Sequence, residues 1–505
     1  TGTYGTNGFH LAMDPDESNP FGHDSSGNGN DWTANNLSTT AGAGNDLLAD
    51  TPYNNSLTGG GNYATLNPLA QYRGTLSNGN LDFNLGSGSV YAAATIAVKS
   101  GKYYWEAEAI SGTTNSTVGG RFAVAVASEI LNGESGPFNL VWHATSGIQK
   151  FISSSYTTEL TGTNYGDGDL LGLALDADSN IAKFYKNGSL AYTYDFSGSV
   201  PVGSEYLTPS VWNGSGGTPV WTYNFGQRPF AYTPPTGYKA LNTFNLTAPT
   251  ITDPSKHFDT TLYTGTSTTP QTITGLGFEP GLLWIKGRTW TGNTYKIYDS
   301  VRGENKGLDS SSDAGEDSHA IMTDFTSDGF TVVEASGQSH TNNGGNSFVS
   351  WAWNAGTTTD PSNNDGSIPS EVRANTTAGV SIVKWEGQGA ATNIGHGLDE
   401  APSLIISKCL DSNQNWNVWH TSFGANNRMF LDTQDDIESG GYPTVPTDSI
   451  FYVDNTGNFP SGEDVISYCF HSVTGYSKIG KYGGNGSGSS DGPYIHLGFK
   501  PAFLV

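Results

Sequence analysis

The chain has 505 residues, of which 47 are acidic and 22 are Lys or Arg, so its formal net charge is −25. This charge argues against nucleic-acid binding, because proteins that bind the phosphate backbone need basic residues along it. No apolar run reaches the roughly 18 residues of a membrane span, and no export signal is visible. Gly is abundant (67 residues), and charged residues make up only 14%, a composition typical of short strands joined by tight turns in all-β domains.

The region between residues 101 and 228 alternates apolar and polar residues with the period of two expected for strands. Clear examples are KYYWEAEA from Lys102 and RFAVAVA from Arg121, and the turn signal Asn187-Gly188 separates two later strands. This pattern predicts two packed sheets. Their common core should contain Trp105, Phe122, Leu173 and Phe184.

Three of these segments resemble a SPRY (B30.2-like) sandwich: GKYYWEAEA from Gly101, YGDGDLLGLALDAD from Tyr165 and IAKFYKNGSLAYTY from Ile181. In that family a Tyr-Trp-Glu strand, a Gly-Asp turn and a Phe-x-Lys-Asn-Gly hairpin follow in this order. The resemblance covers residues 75 to 228. SPRY domains bind through variable loops, so it implies a fold but no particular binding residues. Ahead of it, HDSSGNGNDWTANNLS from His23 is similar to the opening of laminin-G or concanavalin-like jelly rolls.

The C-terminal half contains a repeat. GLGFEPGLLWIK from Gly275 aligns without a gap with GLDEAPSLIISK from Gly397, and LGFKPAFLV from Leu497 starts the same pattern again. The units are longer than the roughly 20 to 45 residues of solenoid repeats, so each can form a small domain. What recurs is apolar and aromatic, which indicates conserved packing rather than catalysis. In superposed repeats, the matched pairs should be Trp284 with Ile406 and Trp351 with Tyr468.

These patterns predict an all-β fold of tandem β-sandwich or jelly-roll domains, SPRY- or laminin-G-like at first and followed by repeated small β-domains. Linkers rich in Pro, Thr and Asn separate them. The predicted ranges are a sandwich region at 1–240, a linker at 241–256, repeats at 257–356 and 378–474 with a linker at 357–377 between them, and a truncated repeat at 475–505. Because the chain begins at Thr1 and stops inside a repeat, we expect it to be part of a longer polypeptide.

The order of all these motifs resembles large virion proteins of marine and cyanobacterial tailed phages, which are usually described as tail-fibre-like or structural. The segment NFGQRPFAYTPPTGYKALNTFNL from Asn224 and the Gly-Phe-x-Pro repeats carry this resemblance together with the motif at His23. It implies an extracellular position on the virion surface and other virion proteins as partners. It supplies no catalytic residues.

Motifs for catalysis, cofactors or metals are incomplete in this chain. Residues 475–481 match G-x4-G-K, but Tyr482 stands where a phosphate-binding loop has the Ser or Thr that binds magnesium. The acidic residues near Asp14 lack the spacing of a calcium loop, and the histidines form no zinc-binding pair. We therefore expect no enzymatic activity and no cofactor, with structural calcium possible. A glycan-degrading spike, which requires two facing carboxylates, is a minor alternative.

Cys409 and Cys469 are the two cysteines of the chain, and both fall in predicted strands of one repeat. Two buried thiols are the simpler interpretation. A disulfide requires Cα atoms within about 7 Å of each other, which the sequence leaves open.

Aromatic side chains near loops can stack on sugar rings, with core packing as the alternative for each of them. The candidates are Tyr156, Tyr165, Trp212 and Trp290.

The resemblance and these candidates are consistent with two functions. The first is a fibre or appendage that adheres to host surface glycans, and the second is a purely structural virion component such as a head fibre, decoration or assembly protein. Either should self-associate, with a homotrimer favoured, because a fibre must be stiff.

Overall fold

The fold is all-β, as the composition predicts. The computed structural model describes residues 4–505 except 15–16, 41–45, 51–59, 87–89, 114–119, 128–137, 153–154, 214–216, 268, 290–294, 318–320, 335–339, 455–456 and 485–493. The described part of the chain divides into two units, residues 1–247 with 484–505 and residues 248–483. Within it, no helix has the length and apolarity needed to cross a membrane.

The first unit is a sandwich of two antiparallel sheets. Its strands are β1 (Leu66–Tyr72), β2 (Thr75–Ser77), β3 (Asp82–Asn84), β4 (Val90–Ala94), β5 (Lys102–Ser111), β6 (Arg121–Val126), β7 (Asn139–His143), β8 (Gly147–Ile152), β9 (Ser155–Leu160), β10 (Leu170–Asp176), β11 (Ile181–Lys186), β12 (Ser189–Asp195), β13 (Leu207–Asn213), β14 (Val220–Asn224) and β15 (Lys239–Ala240). The seven-stranded sheet has the order β1-β4-β13-β6-β7-β8-β9. The eight-stranded sheet has the order β12-β11-β10-β5-β14-β3-β2, with β15 parallel to β5.

The core of this unit lies between the two sheets. The four predicted core residues are all fully buried in one cluster, which confirms the alternation argument: Trp105, Phe122, Leu173 and Phe184. Several strands are buried along their whole length, including β6 and β13. Both faces of the sheets are therefore covered in part, whereas a bare alternating pattern predicts one buried face.

A segment after β14 covers the outer face of the eight-stranded sheet. Glu106, which is buried, accepts hydrogen bonds from the backbone N–H groups of Ala231 at 2.9 Å and Tyr232 at 3.0 Å. The Tyr104 hydroxyl donates to the same carboxylate at 3.1 Å, and the Phe230 ring packs on Tyr104. Glu106 therefore holds a chain segment in place. The predicted linker at 241–256 is a linker only in part, because the first unit extends to residue 247.

The predicted sandwich region at 1–240 begins with a loop rather than with strands. Among the described residues before Leu66, no strand forms, and Asp24 organises the loop. Its carboxylate accepts backbone hydrogen bonds from His10, Ser26 and Asn30, each at 2.9 Å. The motif similar to a jelly-roll opening is thus a turn motif here, since an Asp side chain that binds successive N–H groups replaces the hydrogen bonds of a sheet.

The first repeat of the second unit is a small sandwich. Its strands are β16 (Phe258–Thr264), β17 (Gln271–Thr274), β18 (Leu282–Gly287), β19 (Lys296–Asp299), β20 (Leu308–Asp309), β21 (Met322–Thr326), β22 (Gly329–Val332) and β23 (Ser347–Trp353). One sheet has the order β16-β23-β18-β19-β20, and the other has the order β17-β22-β21. Tyr263, Leu283 and Phe330 are among the residues that fill the core between them.

The second repeat has the same central strand order. Its strands are β24 (Thr359–Asn363), β25 (Ser370–Asn375), β26 (Val380–Glu386), β27 (Thr392–Gly395), β28 (Leu404–Cys409), β29 (Asn417–His420), β30 (Asn427–Phe430), β31 (Glu438–Ser439), β32 (Ile450–Val453) and β33 (Asp464–Phe470). The large sheet has the order β24-β25-β26-β33-β28-β29-β30-β31, and β27 pairs with β32. Trp284 pairs with Trp351 in the first repeat, as Ile406 pairs with Tyr468 in the second. The superposition of the two repeats stays a prediction, and it is supported by this equivalent register.

The predicted linker at 357–377 is wrong, because it contains β24 and β25. These strands extend the large sheet of the second repeat. β24 is an edge strand and is mostly exposed, so polar residues are tolerated along it. Its sequence therefore lacks the apolar alternation by which a strand is recognised. Arg373, on β25, donates to Glu279 of the first repeat at 2.9 Å.

The two repeats share a third core and are not independent domains. Leu282 and Ile297 of the first repeat pack in one cluster with Ile382, Trp416 and Tyr468 of the second. Burial of this apolar surface makes it costly to separate the repeats. The expectation of small domains on flexible linkers therefore does not hold for this unit.

The predicted third repeat at 475–505 forms no strand in its described residues, 475–484 and 494–505. Residues 484–505 belong to the first unit. There Tyr494 packs on Ala70, Ala93 and Ala125 of the seven-stranded sheet. A strand needs a partner for its backbone hydrogen bonds, and the segment instead contributes a side chain to an existing sheet.

Candidate functional site

The four aromatic candidates lie in different environments. Tyr156 on β9 is 62% exposed, whereas Tyr165 and Trp212 are buried. Trp290 lies outside the described residues. The structure connects two of the candidates, Tyr156 and Trp212, through a third aromatic residue that the sequence did not single out.

Tyr165 is a core residue, and the prediction of a glycan contact there is wrong. Its ring packs edge-on against Trp142 and Trp221 between the sheets. Its hydroxyl donates to the backbone carbonyls of Gly120 and Trp142. Burial raises the pKa of this hydroxyl well above its usual value. A side chain whose polar atom and both faces are occupied inside the core has nothing left for a ligand.

Trp212 supports the outer face of the seven-stranded sheet and does not lie open on it, so the prediction of direct sugar stacking is also wrong there. Val211, the residue before it, points into the core, so Trp212 points outward. The guanidinium of Arg121 lies over the indole ring, 4.3 Å from its centroid. The Phe151 ring meets it at 5.2 Å in an edge-on arrangement. These contacts cover Trp212 and leave it 5% exposed.

Tyr156 extends this packing into solvent. It is the cross-strand partner of Phe151, and the two ring centroids lie 5.5 Å apart. Since Phe151 rests on Trp212 and Arg121, the exposed Tyr156 ring is held against a buried aromatic support. A ring fixed in this way loses little conformational entropy when a ligand stacks on it.

A second exposed group continues the same face at the other side of the sheet. Tyr91 on β4 is the cross-strand partner of Trp212. Tyr91 and Tyr72 are stacked with their centroids 5.4 Å apart, and the guanidinium of Arg73 lies 4.9 Å from the Tyr72 centroid. Tyr72 and Arg73 are both exposed. Sequence reasoning missed these residues, although the Tyr-Arg-Gly turn after an apolar strand is a visible signal.

We call this set of side chains the aromatic row. It consists of Arg73, Tyr72, Tyr91, Trp212, Arg121, Phe151 and Tyr156. Its ends lie on β1 and β9, the two edges of the sheet, which places them on the order of 25 to 30 Å apart. The centre is buried and both ends are exposed. The row therefore suits an extended ligand better than a single small one.

The centre of the row borders a small cavity. Tyr91, Asn139, Ser210 and Trp212 are among its lining residues. The Nε1 atom of Trp212 is buried and has no hydrogen-bond partner among the described residues. An unsatisfied buried donor is costly, so Trp212 would be stabilised by a hydrogen-bond acceptor at this atom.

His143 is the buried titratable group next to the row, and it is the cross-strand partner of Arg121. Its Nδ1 accepts hydrogen bonds from the backbone N–H groups of Thr145 at 3.2 Å and Ser146 at 3.3 Å. Burial, with a smaller contribution from the Arg121 charge, lowers the pKa of His143 to about 4. At neutral pH it is an uncharged acceptor that fixes a turn.

The seven-stranded sheet differs in charge from the rest of the molecule. Its strands contain a single carboxylate, Glu159, in a chain with 47 acidic residues. Glu159 lies 3.5 Å from Nζ of Lys150, which also donates to the Tyr194 hydroxyl. The acidic side chain of these strands is therefore already paired with a lysine.

The two cysteines lie apart in the second repeat. Cys409 pairs with Val465 and Cys469 pairs with Ile405, so they stand four residues apart along the ladder, about 13 Å. Both are buried, unpaired thiols. The Cys409 thiol donates a hydrogen bond to Glu463 at 2.9 Å. Burial raises the pKa of the Cys409 thiol, and it raises the pKa of the Cys469 thiol to about 12. Neither forms the thiolate that a nucleophile requires.

Among the described residues, no group of three or more His, Cys, Asp or Glu side chains is arranged to hold a metal ion. Asp14 and Glu17 do not converge on a common centre with other acidic residues in this part of the chain.

A family of proteins matches the C-terminal half of the chain. The sequence model of a family described as a domain of unknown function (DUF7483) matches residues 253–505, just over half of the chain. The chain belongs to this family. The DUF7483 match includes both repeats of the second unit. No curated protein matches the chain.

SPRY domains are among the solved structures similar to this DUF7483 protein. The SPRY domain of human HERC1 is 21% identical, with a TM-score of 0.25, and the match covers 31% of this chain and 96% of that one. The PSpry domain of TRIM65 is 18% identical, with a TM-score of 0.24 and coverage of 32% and 89%. A human SPRY domain is 14% identical, with a TM-score of 0.24 and coverage of 30% and 96%. At these scores the likeness does not extend to function.

Proposed function

We propose that this protein is a phage virion-surface appendage protein that adheres to host surface glycans through the aromatic row. The observation that carries the proposal is Tyr156, an exposed ring held against Phe151, which is itself supported by Trp212 and Arg121. Aromatic faces bind the apolar faces of sugars, and a pre-positioned ring does so at low entropic cost. The resemblance of the motif order to tail-fibre-like virion proteins supports the location.

Binding rather than catalysis is the proposed activity. Hydrolysis of a glycan needs two carboxylates about 5 to 10 Å apart beside the sugar. Glu159 is the single carboxylate on the strands that carry the row, and it forms an ion pair with Lys150. Glu106, the carboxylate embedded in β5, is satisfied by backbone N–H groups and a tyrosine hydroxyl.

Glycan binding by the full chain tests the proposal. We expect binding on an array of bacterial surface polysaccharides and a loss of about tenfold in affinity for Tyr156→Ala, because stacking on one ring contributes on the order of 1 to 1.5 kcal/mol. Tyr156→Phe keeps the ring and should bind nearly as well. Tyr482→Ala removes an exposed ring from the other unit and serves as the matched control. Equal binding by Tyr156→Ala and the unaltered chain would contradict the role of Tyr156.

A purely structural role in the virion is the second candidate, and a separate observation favours it. The two repeats of the second unit share one core and one buried hydrogen-bond network, which makes a stiff element suited to a shaft or a decoration. Imaging of labelled particles distinguishes the two roles. A few copies at the tail support adhesion, whereas many copies over the capsid support a structural component.

A further inference from the structure

We infer that the ligand of the aromatic row is a carboxylate-bearing, acidic glycan, recognised at the β1 edge by Arg73 together with the stacked Tyr72 and Tyr91. This inference rests on the proposed function and adds the chemical class of the ligand. None of these three residues was among the candidates from the sequence.

The geometry at this edge combines a cation with an aromatic platform. The Tyr72 and Tyr91 rings stack at 5.4 Å with an interplanar angle of 21°, and Arg73 lies over Tyr72 at 4.9 Å. A sugar ring that bears a carboxylate has an apolar face for the tyrosines and an anionic group for the guanidinium. The planar guanidinium can donate two parallel hydrogen bonds to a carboxylate.

Arg73 is held in an unusual backbone conformation. Its φ is 59°, in the left-handed region that non-glycine residues seldom adopt. Gly74, the next residue, also has a positive φ, and a side chain there would overlap the Phe83 ring. The turn between β1 and β2 therefore fixes the direction in which Arg73 leaves the sheet. A strained residue in a fixed turn is often placed for a ligand.

Charge selects the class of glycan. The chain as a whole carries −25, so it repels anions except where the local charge is positive. Arg121 supports the centre of the row and Arg73 its β1 end, while the single carboxylate of the seven strands lies on β9 and is paired with Lys150. The β1 end is thus the part of the sheet best suited to a negative group.

Cross-strand neighbours connect this end to Tyr156. Tyr91 faces Trp212 across β4 and β13, and Trp212 contacts Phe151, on which Tyr156 rests. A polysaccharide that binds both exposed ends would gain affinity from two linked contacts. Each end then contributes separately: Tyr156 binds sugars of any charge, and Arg73 selects acidic ones.

The test measures the affinity of the full chain for three probes by calorimetry: alginate oligosaccharides, which carry carboxylates, neutral dextran oligosaccharides of similar length, and inorganic polyphosphate. The variants are Arg73→Asn, Arg73→Lys and Tyr156→Ala. Asn tolerates the left-handed conformation, so Arg73→Asn removes the charge without adding backbone strain. Arg73→Lys keeps the charge and loses the bidentate geometry. The melting temperature of each variant verifies that it is folded.

We expect alginate to bind more tightly than dextran, and Arg73→Asn to weaken alginate binding by about tenfold while dextran binding is unchanged. Arg73→Lys should have an intermediate effect, and added salt should weaken the alginate complex selectively. Three results would overturn the inference: equal affinity for alginate and dextran, no effect of Arg73→Asn, or polyphosphate binding as tight as alginate binding. If Tyr156→Ala weakens binding and Arg73→Asn does not, adhesion stands and the acidic ligand is rejected. If no glycan binds at all, both proposals fail.

Discussion

Removal of one hydroxyl group should loosen the contact between the two repeats. The Tyr468 hydroxyl, in the second repeat, donates to Oδ2 of Asp299 in the first at 2.7 Å, and both side chains are buried. Nε of Arg302 donates to the same carboxylate at 2.5 Å. Burial by itself lowers the pKa of Arg302, but Asp299, Tyr468 and Glu316 together raise it by more, so the guanidinium remains charged. The hydroxyl thus stabilises a buried ion pair across the repeat interface.

The size of the effect follows from the type of hydrogen bond. A hydrogen bond to a charged group contributes roughly 1.5 to 3 kcal/mol, and its removal leaves a buried carboxylate oxygen with one donor fewer. We therefore expect Tyr468→Phe to lower the free energy of unfolding of the second unit by about 2 kcal/mol. For a unit of about 240 residues, this corresponds to a fall in melting temperature of about 4 to 8 °C.

Differential scanning calorimetry and urea denaturation of the full chain measure this change. Tyr482→Phe is the matched control, because Tyr482 lies in the same unit and is 70% exposed. Since the two repeats share a core, they should unfold in one transition that moves as a whole in Tyr468→Phe. A loss no larger than that of Tyr482→Phe, or separate transitions of which only one moves, would refute the argument that this contact couples the repeats.

Four further predictions concern stability, acid, thiols and assembly. Trp105→Ala should lower the free energy of unfolding of the first unit by about 3 to 5 kcal/mol in urea titrations, because Trp105 is fully buried between the sheets; a change below 1 kcal/mol would contradict its place in the core. Burial lowers the pKa of His143 and of His396 to about 4, below the ordinary value near 6.5. The unfolded chain therefore binds more protons than the folded chain between pH 6.5 and 4. As the pH falls through that window, the free energy of unfolding should decrease by up to about 3 kcal/mol per histidine, and His396→Gln should make it less dependent on pH. Cys409 and Cys469 should react with a thiol reagent only after unfolding, with no change in mass on reduction; rapid labelling of the native chain would show that they are accessible. We also expect a homotrimer in calcium-containing, high-salt buffer, where the repulsion between chains of charge −25 is screened; a monomer in mass measurements across these conditions would argue against a fibre.

The candidate site shows where sequence reasoning reached its limit. Aromatic residues near loops are visible in a sequence, and Tyr156 is exposed as proposed. Tyr165 and Trp212 have the same chemistry and similar surroundings in the sequence, but both are buried. Exposure depends on which segment covers a sheet face, and that is a long-range property. Arg73 and Tyr72 became candidates because Tyr91 lies beside Tyr72 on the neighbouring strand. That contact depends on the order of the strands in the sheet, which the sequence does not show.

The sequence by itself determined the all-β class, the sandwich core around Trp105 and the equivalent strands of the two repeats, because period-two alternation and repeated apolar anchors are local signals. Only the tertiary structure decided which faces are covered. The polar segment at 357–377 became two edge strands because the neighbouring sheet supplied hydrogen-bond partners. The repeats joined into one unit because Trp416 and Tyr468 buried apolar surface that one repeat alone would leave in water. Such pairings depend on residues far apart in the chain, which no local pattern records.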